Sequence, residues 1–146
     1  MFLSQYRHSI DSKGRLTIPA DYREKVSNGA YVTQGFDGNL RVLTTASFDF
    51  IYNQVSQMSV TNPAVRQLSR LLFSTAAQVH LDKNGRILIP QFLRDTAGLG
   101  NEAVIVGSGI YFEIWSPERW QDQVEQMADV EFNIDQFSSL NLRSGQ

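Results

Sequence analysis

Apolar and polar positions alternate in short runs, then recur at helical spacing, and the chain passes through this order twice. Residues 6–10 alternate weakly and predict a short strand, and Ser12-Lys13-Gly14 predicts a turn in which glycine is free to take positive φ. Residues 15–18 resume as a strand, with Leu16 and Ile18 on one face and Arg15 and Thr17 on the other. Pro19 ends that strand and opens a short helix over 20–26. Strands over 31–34 and 39–43 flank the glycine-bounded turn Gly35-Phe36-Asp37-Gly38. A Thr/Ser-rich joint then leads into a helix striped by Phe48, Ile51, Val55 and Met58. Asn62-Pro63 caps and starts another, striped by Val65, Leu68 and Leu72, with Arg66 and Arg70 four apart on a different face.

The second passage repeats the first: a strand over 77–81, a turn at Lys83-Asn84-Gly85, a strand over 86–89 and a helix from Pro90 to Ala97. Strands over 103–106 and 111–115 follow, and Ser116-Pro117 caps a helix striped by Trp120, Val124 and Met127. Asp11-Ser12-Lys13-Gly14-Arg15-Leu16-Thr17-Ile18-Pro19 recurs as Asp82-Lys83-Asn84-Gly85-Arg86-Ile87-Leu88-Ile89-Pro90, 71 positions later, and Arg23 falls on Arg94 at the same separation. Gly35, Leu40, Val42 and Phe48 fall on Gly107, Phe112, Ile114 and Trp120 at a separation of 72. Two copies of one unit pack against each other, whereas a solenoid needs three or more. The division is a first half over 1–60, a bridging helix over 61–76, a second half over 77–128 and an acidic, polar tail over 129–146. The two halves form one compact domain, and beyond Glu131 the tail is expected to fray or to serve subunit contacts. Short strands joined by glycine turns, with no long crossovers, predict a mainly β, mixed or antiparallel barrel with peripheral helices.

Composition narrows the function classes. The 146 residues hold no cysteine, which removes disulfide and thiol chemistry, and no stretch suits a signal peptide or a membrane span, so the cytoplasm is the default address. The net charge of -2 speaks against a polyanion partner until it is divided along the chain. Residues 1–25 carry five basic and three acidic side chains, and residues 60–100 five and two, whereas residues 101–146 carry two and eight. Positive charge therefore travels with the repeated motif and negative charge with the C-terminal segment, and local charge sets the field a polyanion meets. His8 and His80 are the only histidines and belong to no ligand-spaced cluster, so no metal or cofactor is expected. No nucleophile elbow or phosphate-binding glycine loop occurs, and an enzyme is not expected. The aromatic residues Phe48, Trp115 and Trp120 read as core.

Within the motif, Asp11 and Arg15 stand four apart across a turn, as do Asp82 and Arg86, with Gly14 and Gly85 supporting the bend. Such a pair is charge-assisted and orients the guanidinium, and the Arg should depress the carboxyl pKa, which spoils it as an acid. Two readings follow. Either the pair only locks its turn, or it presents Arg15 and Arg86, with Lys13 and Lys83 nearby, to phosphates or guanine edges. Thr17, Arg23, Arg94, Arg66 and Arg70 are further candidate phosphate contacts, Thr17 on one side only because the second copy has Leu88.

These residues resemble the MraZ family of bacterial transcriptional regulators, within the wider AbrB/SpoVT-like group of swapped-hairpin proteins. The resemblance rests on Asp-x-x-x-Arg in both halves, on the longer motif around each copy and on the start Met1-Phe2, and it runs to about Trp120. It implies a double-split β-barrel made by both halves of one chain, and ring-like homo-oligomers that present basic loops to direct repeats in double-stranded DNA. It also implies repression at the promoter of the division and cell-wall gene cluster, in association with the nucleoid. Asp11, Arg15, Asp82 and Arg86 would be its functional positions, flanked by Lys13 and Lys83. An antitoxin-like regulator holding a protein partner, and a scaffold without DNA, are the rival readings.

Overall fold

The computed structural model describes residues 1–143 and residue 145. Its strands are β1 (Gln5–Ser9), β2 (Arg15–Thr17), β3 (Ala30–Gln34) and β4 (Leu40–Thr44) in the first half, and β5 (Ala77–Val79), β6 (Arg86–Leu88), β7 (Glu102–Gly107) and β8 (Tyr111–Trp115) in the second. Helices α1 (Ala20–Arg23) and α4 (Gln91–Thr96) follow the motif strands, and α1 runs on as a 3-10 turn over Glu24–Val26. Helices α2 (Thr45–Ser56) and α3 (Pro63–Ser74) bridge the halves, and α5 (Pro117–Met127) and α6 (Val130–Phe137) end the described chain.

All ladders are antiparallel. Six strands form a sheet in the order β1-β7-β8-β4-β3-β5, and β2 pairs with β6 in a separate ribbon. The order is unchanged when the two halves are exchanged: β1 lies on β7 as β5 lies on β3, while β4–β8 and β2–β6 pair each element with its own counterpart. Each half therefore lends its first strand to the other half. Among the described residues no ladder joins β1 to β5, so the sheet is open and its hydrogen bonds do not close the barrel expected from the sequence.

Alternation places the core. Leu16, Ile18, Ile87 and Ile89 on the inner side of the ribbon meet Val32, Leu40, Val42, Ile105, Phe112 and Ile114 on the inner side of the sheet in one buried cluster. A second cluster of Val104, Trp115 and Trp120 lies beneath α5 on the outer side, and Phe48 stacks on Tyr31 with ring centroids 4.0 Å apart.

The helix starts follow their caps. Thr44 Oγ1 accepts from Ser47 N at 3.1 Å and Ser116 Oγ from Arg119 N at 3.1 Å, a matched pair of N-caps 72 residues apart. Helix α2 therefore begins before Phe48, and it ends at Ser56, which leaves Met58 outside it and exposed. The tail differs from a frayed end: Asp129 Oδ1 accepts from Phe132 N at 3.0 Å and caps α6, whose apolar side chains stay largely exposed. No described helix is long and apolar enough to cross a membrane.

Candidate nucleic-acid interface

Each motif turn is built on one carboxylate. Asp11 Oδ1 accepts from the backbone N–H groups of Lys13 at 3.0 Å and Arg15 at 2.9 Å, and Oδ2 accepts from Arg15 Nε at 2.6 Å. Asp82 repeats the set with Asn84 N at 2.9 Å, Arg86 N at 2.9 Å and Arg86 Nε at 2.9 Å. Backbone donation from Arg15 and Arg86 is the largest cause that holds the two carboxyls below their ordinary pKa. The direction matches the sequence expectation, but its main source is the peptide N–H and not the guanidinium.

The two turns meet across the pseudo-two-fold. Arg86 Nη1 lies 3.6 Å from Asp11 Oδ2 of the other repeat. Ile18 N donates to Gly85 O and Ile89 N to Gly14 O, each at 2.9 Å, so each repeat's strand end is tied to the other repeat's turn. Gly14 and Gly85 have φ of +90° and +75°, and a Cβ on either would come within 2.7 Å and 2.5 Å of the guanidinium of Arg94 and Arg23 respectively. Both arginines are anchored through Nε, Arg23 on Ile18 O at 2.9 Å and Arg94 on Ile89 O at 3.0 Å. They cross the repeat boundary to roof the opposite turn, a packing role beyond the phosphate contacts for which the sequence made them candidates. The shared 71-residue separation of arginine and glycine was the available signal.

On the ribbon, Arg15 stands opposite Leu88, and Thr17 opposite Arg86. Their neighbours Leu16 and Ile87 are buried, so these four form the outer face, with Leu88 exposed and the two arginines part-buried. With Nε committed to aspartate, each arginine directs its Nη donors from a fixed plane, the geometry suited to two acceptors on a phosphate or a guanine edge. Lys13 and Lys83 are exposed but occupy non-equivalent turn positions, because Lys83 matches Ser12 in the repeat register. Arg66 and Arg70 are not gathered with this group: they are exposed on α3, where Arg66 Nη1 donates to Val60 O at 2.8 Å. Among the described residues no cluster of three or more His, Cys, Asp or Glu is arranged to hold a metal ion.

Fold and site together define an internally duplicated, antiparallel β protein that displays paired Asp–Arg turns on one ribbon. The model of the MraZ protein family matches residues 1–71 and 72–140, one match per repeat. The chain is 49% identical over 127 residues to the transcriptional regulator MraZ of Roseiflexus castenholzii, covering 87% of this chain and 89% of that protein. It is 41% identical over 129 residues to the one from Herpetosiphon aurantiacus, covering 88% and 90%. With the one from Clostridium acetobutylicum it shares 33% over 142 residues, 97% of this chain and all of that protein. The chain belongs to the MraZ family.

Proposed function

We propose that the chain is a sequence-specific, double-stranded-DNA-binding transcriptional regulator whose β2–β6 ribbon and two motif turns form the DNA-reading face. Arg15 and Arg86, each oriented by its aspartate, bond base edges or phosphates. Lys13, Lys83 and Thr17 add phosphate contacts, while Arg23 and Arg94 hold the turns in shape. The observation that carries this reading is the cross-repeat approach of Arg86 Nη1 to Asp11 Oδ2 at 3.6 Å, which couples the two turns into one unit. The strand exchange between the halves supports a double-split, swapped-hairpin barrel as the scaffold, formed without a closing ladder.

In the cell this reading makes the protein a nucleoid-associated repressor of the division and cell-wall gene cluster, bound to direct repeats as a homo-oligomeric ring. A single chain of net charge -2 offers few phosphate contacts, so several basic faces on one assembly supply affinity through effective concentration.

Fluorescence anisotropy of a labelled duplex from this gene's own upstream region tests the reading, with wild type, Arg15→Ala, Arg86→Ala and the double variant at several salt concentrations. Each single variant is expected to lose about 1–3 kcal/mol of discrimination against scrambled duplex, roughly 5- to 150-fold, while still melting cooperatively. Loss of a phosphate contact would instead flatten the salt slope by about one. Equal binding to every duplex, with variants that only melt earlier, would make the Asp–Arg pairs turn clamps and the protein a scaffold.

A further inference from the structure

The outer side of the six-stranded sheet is covered at its two ends and open between them. Helix α2 packs on β4 and α3 on β3, while α5 packs on β7. In the gap, Arg41 and Leu43 of β4, Tyr111 of β8 and the side chains of Phe50, Ile51 and Ile110 line a groove of about 260 Å³. Phe50 and Ile110 are well exposed there.

Arg41 is the charged group of this groove. Its guanidinium lies 5.3 Å from the centre of the Phe36 ring and 5.1 Å from that of Tyr111, so two aromatic rings hold it in place. Among the described residues its Nε is buried without a hydrogen-bond partner. Glu113 stands directly across the ladder, yet its carboxylate accepts from Asn39 Nδ2 at 2.9 Å and Trp115 Nε1 at 3.1 Å, and among the described residues no ion pair joins it to Arg41. Arg41 Nε is closed off from solvent, so an incoming carboxylate would pair with the outer Nη edge of the guanidinium, whose plane the two rings fix. The groove thus combines an apolar wall with a fixed cation, and no acidic side chain lines it.

The complementary chemistry sits on α6. Val130, Ile134 and Phe137 recur at spacings of four and three, and each is more than half exposed. Glu131 and Asp135, four apart, form an acidic row beside that stripe. We propose that the groove around Arg41 receives helix α6 of a second copy of this chain, its Glu131/Asp135 row meeting the guanidinium and its apolar stripe covering Phe50 and Ile110. Groove and helix are different patches, so the contact is heterologous: it repeats head to tail and builds a ring where the rotation closes. This inference rests on the self-assembly in the reading above and assigns it a surface.

The chain has no cysteine of its own, which makes single cysteines clean reporters. Phe50→Cys and Ile134→Cys proteins are mixed and oxidised; a disulfide between one chain of each is expected, and neither protein alone should form it. Sedimentation velocity of wild type, Arg41→Glu and Arg41→Glu combined with Glu131→Lys and Asp135→Lys runs in parallel. Arg41→Glu should move the mass towards the 16.5 kDa monomer, and the combined variant should restore it. An unchanged assembly in Arg41→Glu without a mixed disulfide overturns this interface and leaves self-assembly standing. A monomeric wild type at every concentration overturns both. A disulfide closed within a single Phe50→Cys/Ile134→Cys chain means that α6 folds onto its own groove, which also overturns the second copy. Melting curves separate unfolding of Arg41→Glu from loss of assembly, and the cross-link does not depend on that variant.

Discussion

At the residue scale, a single aspartate per repeat closes the turn and orients the arginine. Its folded pKa lies below the ordinary 3.8, so between those two values the unfolded chain binds more protons than the folded one. The stability each carboxylate contributes is thus fully present above pH 3.8 and is lost as the pH falls through the folded value. Asp11→Asn with Asp82→Asn should therefore melt below wild type at neutral pH, with the gap narrowing below pH 3.8; a gap that stays constant to pH 2 would remove the carboxylates from this role. The glycines beneath the arginines allow a sharper comparison. Gly85→Ala meets an unfavourable φ of +75° and a guanidinium at 2.5 Å, whereas Gly109→Ala meets φ of +87° and nothing within 4 Å. Both should lose about 1–2 kcal/mol from the backbone. Only Gly85→Ala should lose more, because Arg23 must leave Ile18 O to make room. Equal losses in chemical denaturation would mean that the roof over the turn contributes nothing.

At the element scale, caps and alternation account for most of what forms. Thr44→Ala and Ser116→Ala should each cost about 0.5–2 kcal/mol in chemical denaturation, by similar amounts, since the two hydroxyls make the same 3.1 Å bond at matched positions. The Ser116 start was legible in the sequence because a cap is a local event: the side chain and the N–H it serves lie within three residues of each other. Thr44 stands in a Thr/Ser-rich joint with several candidate hydroxyls, and the sequence does not single it out. The motif turns were legible for the same reason, since Asp11 and Arg15 need only a four-residue bend to meet. What local pattern cannot carry is partnership. Alternation in residues 6–10 predicts a strand with an inner face, but nothing in it says that β1 pairs with β7 of the other half. The roofing role of Arg23 and Arg94 is not legible locally, because their acceptors and the glycines they cover are assembled only by the tertiary fold. Leu88 and the stripe of α6 break the usual burial of apolar positions.

At the scale of the whole molecule, the exchange of first strands binds the repeats more tightly than simple juxtaposition would. Residues 1–76 alone retain the β3–β4 ladder, but they lose the partner of β1 in β7, of β2 in β6 and of β4 in β8, together with the Ile18–Gly85 and Ile89–Gly14 hydrogen bonds. They also lose one wall of the shared core, because Ile87, Ile89, Ile105, Phe112 and Ile114 all come from the second half. Neither half then buries enough apolar surface to offset the entropy of ordering its strands. We expect residues 1–76 and 77–146, prepared separately, to lack a cooperative thermal transition as monomers, and an equimolar mixture to regain one by circular dichroism. The regained transition should rise with total concentration, as mass action requires when folding and association are one event. Native pairings this distant in sequence also predict slow refolding of the intact chain, in the millisecond-to-second range typical of β topologies. A monomeric 1–76 fragment that melts cooperatively on its own would show that the halves are independent units docked side by side. The strand exchange would then be a consequence of docking and not the source of the fold.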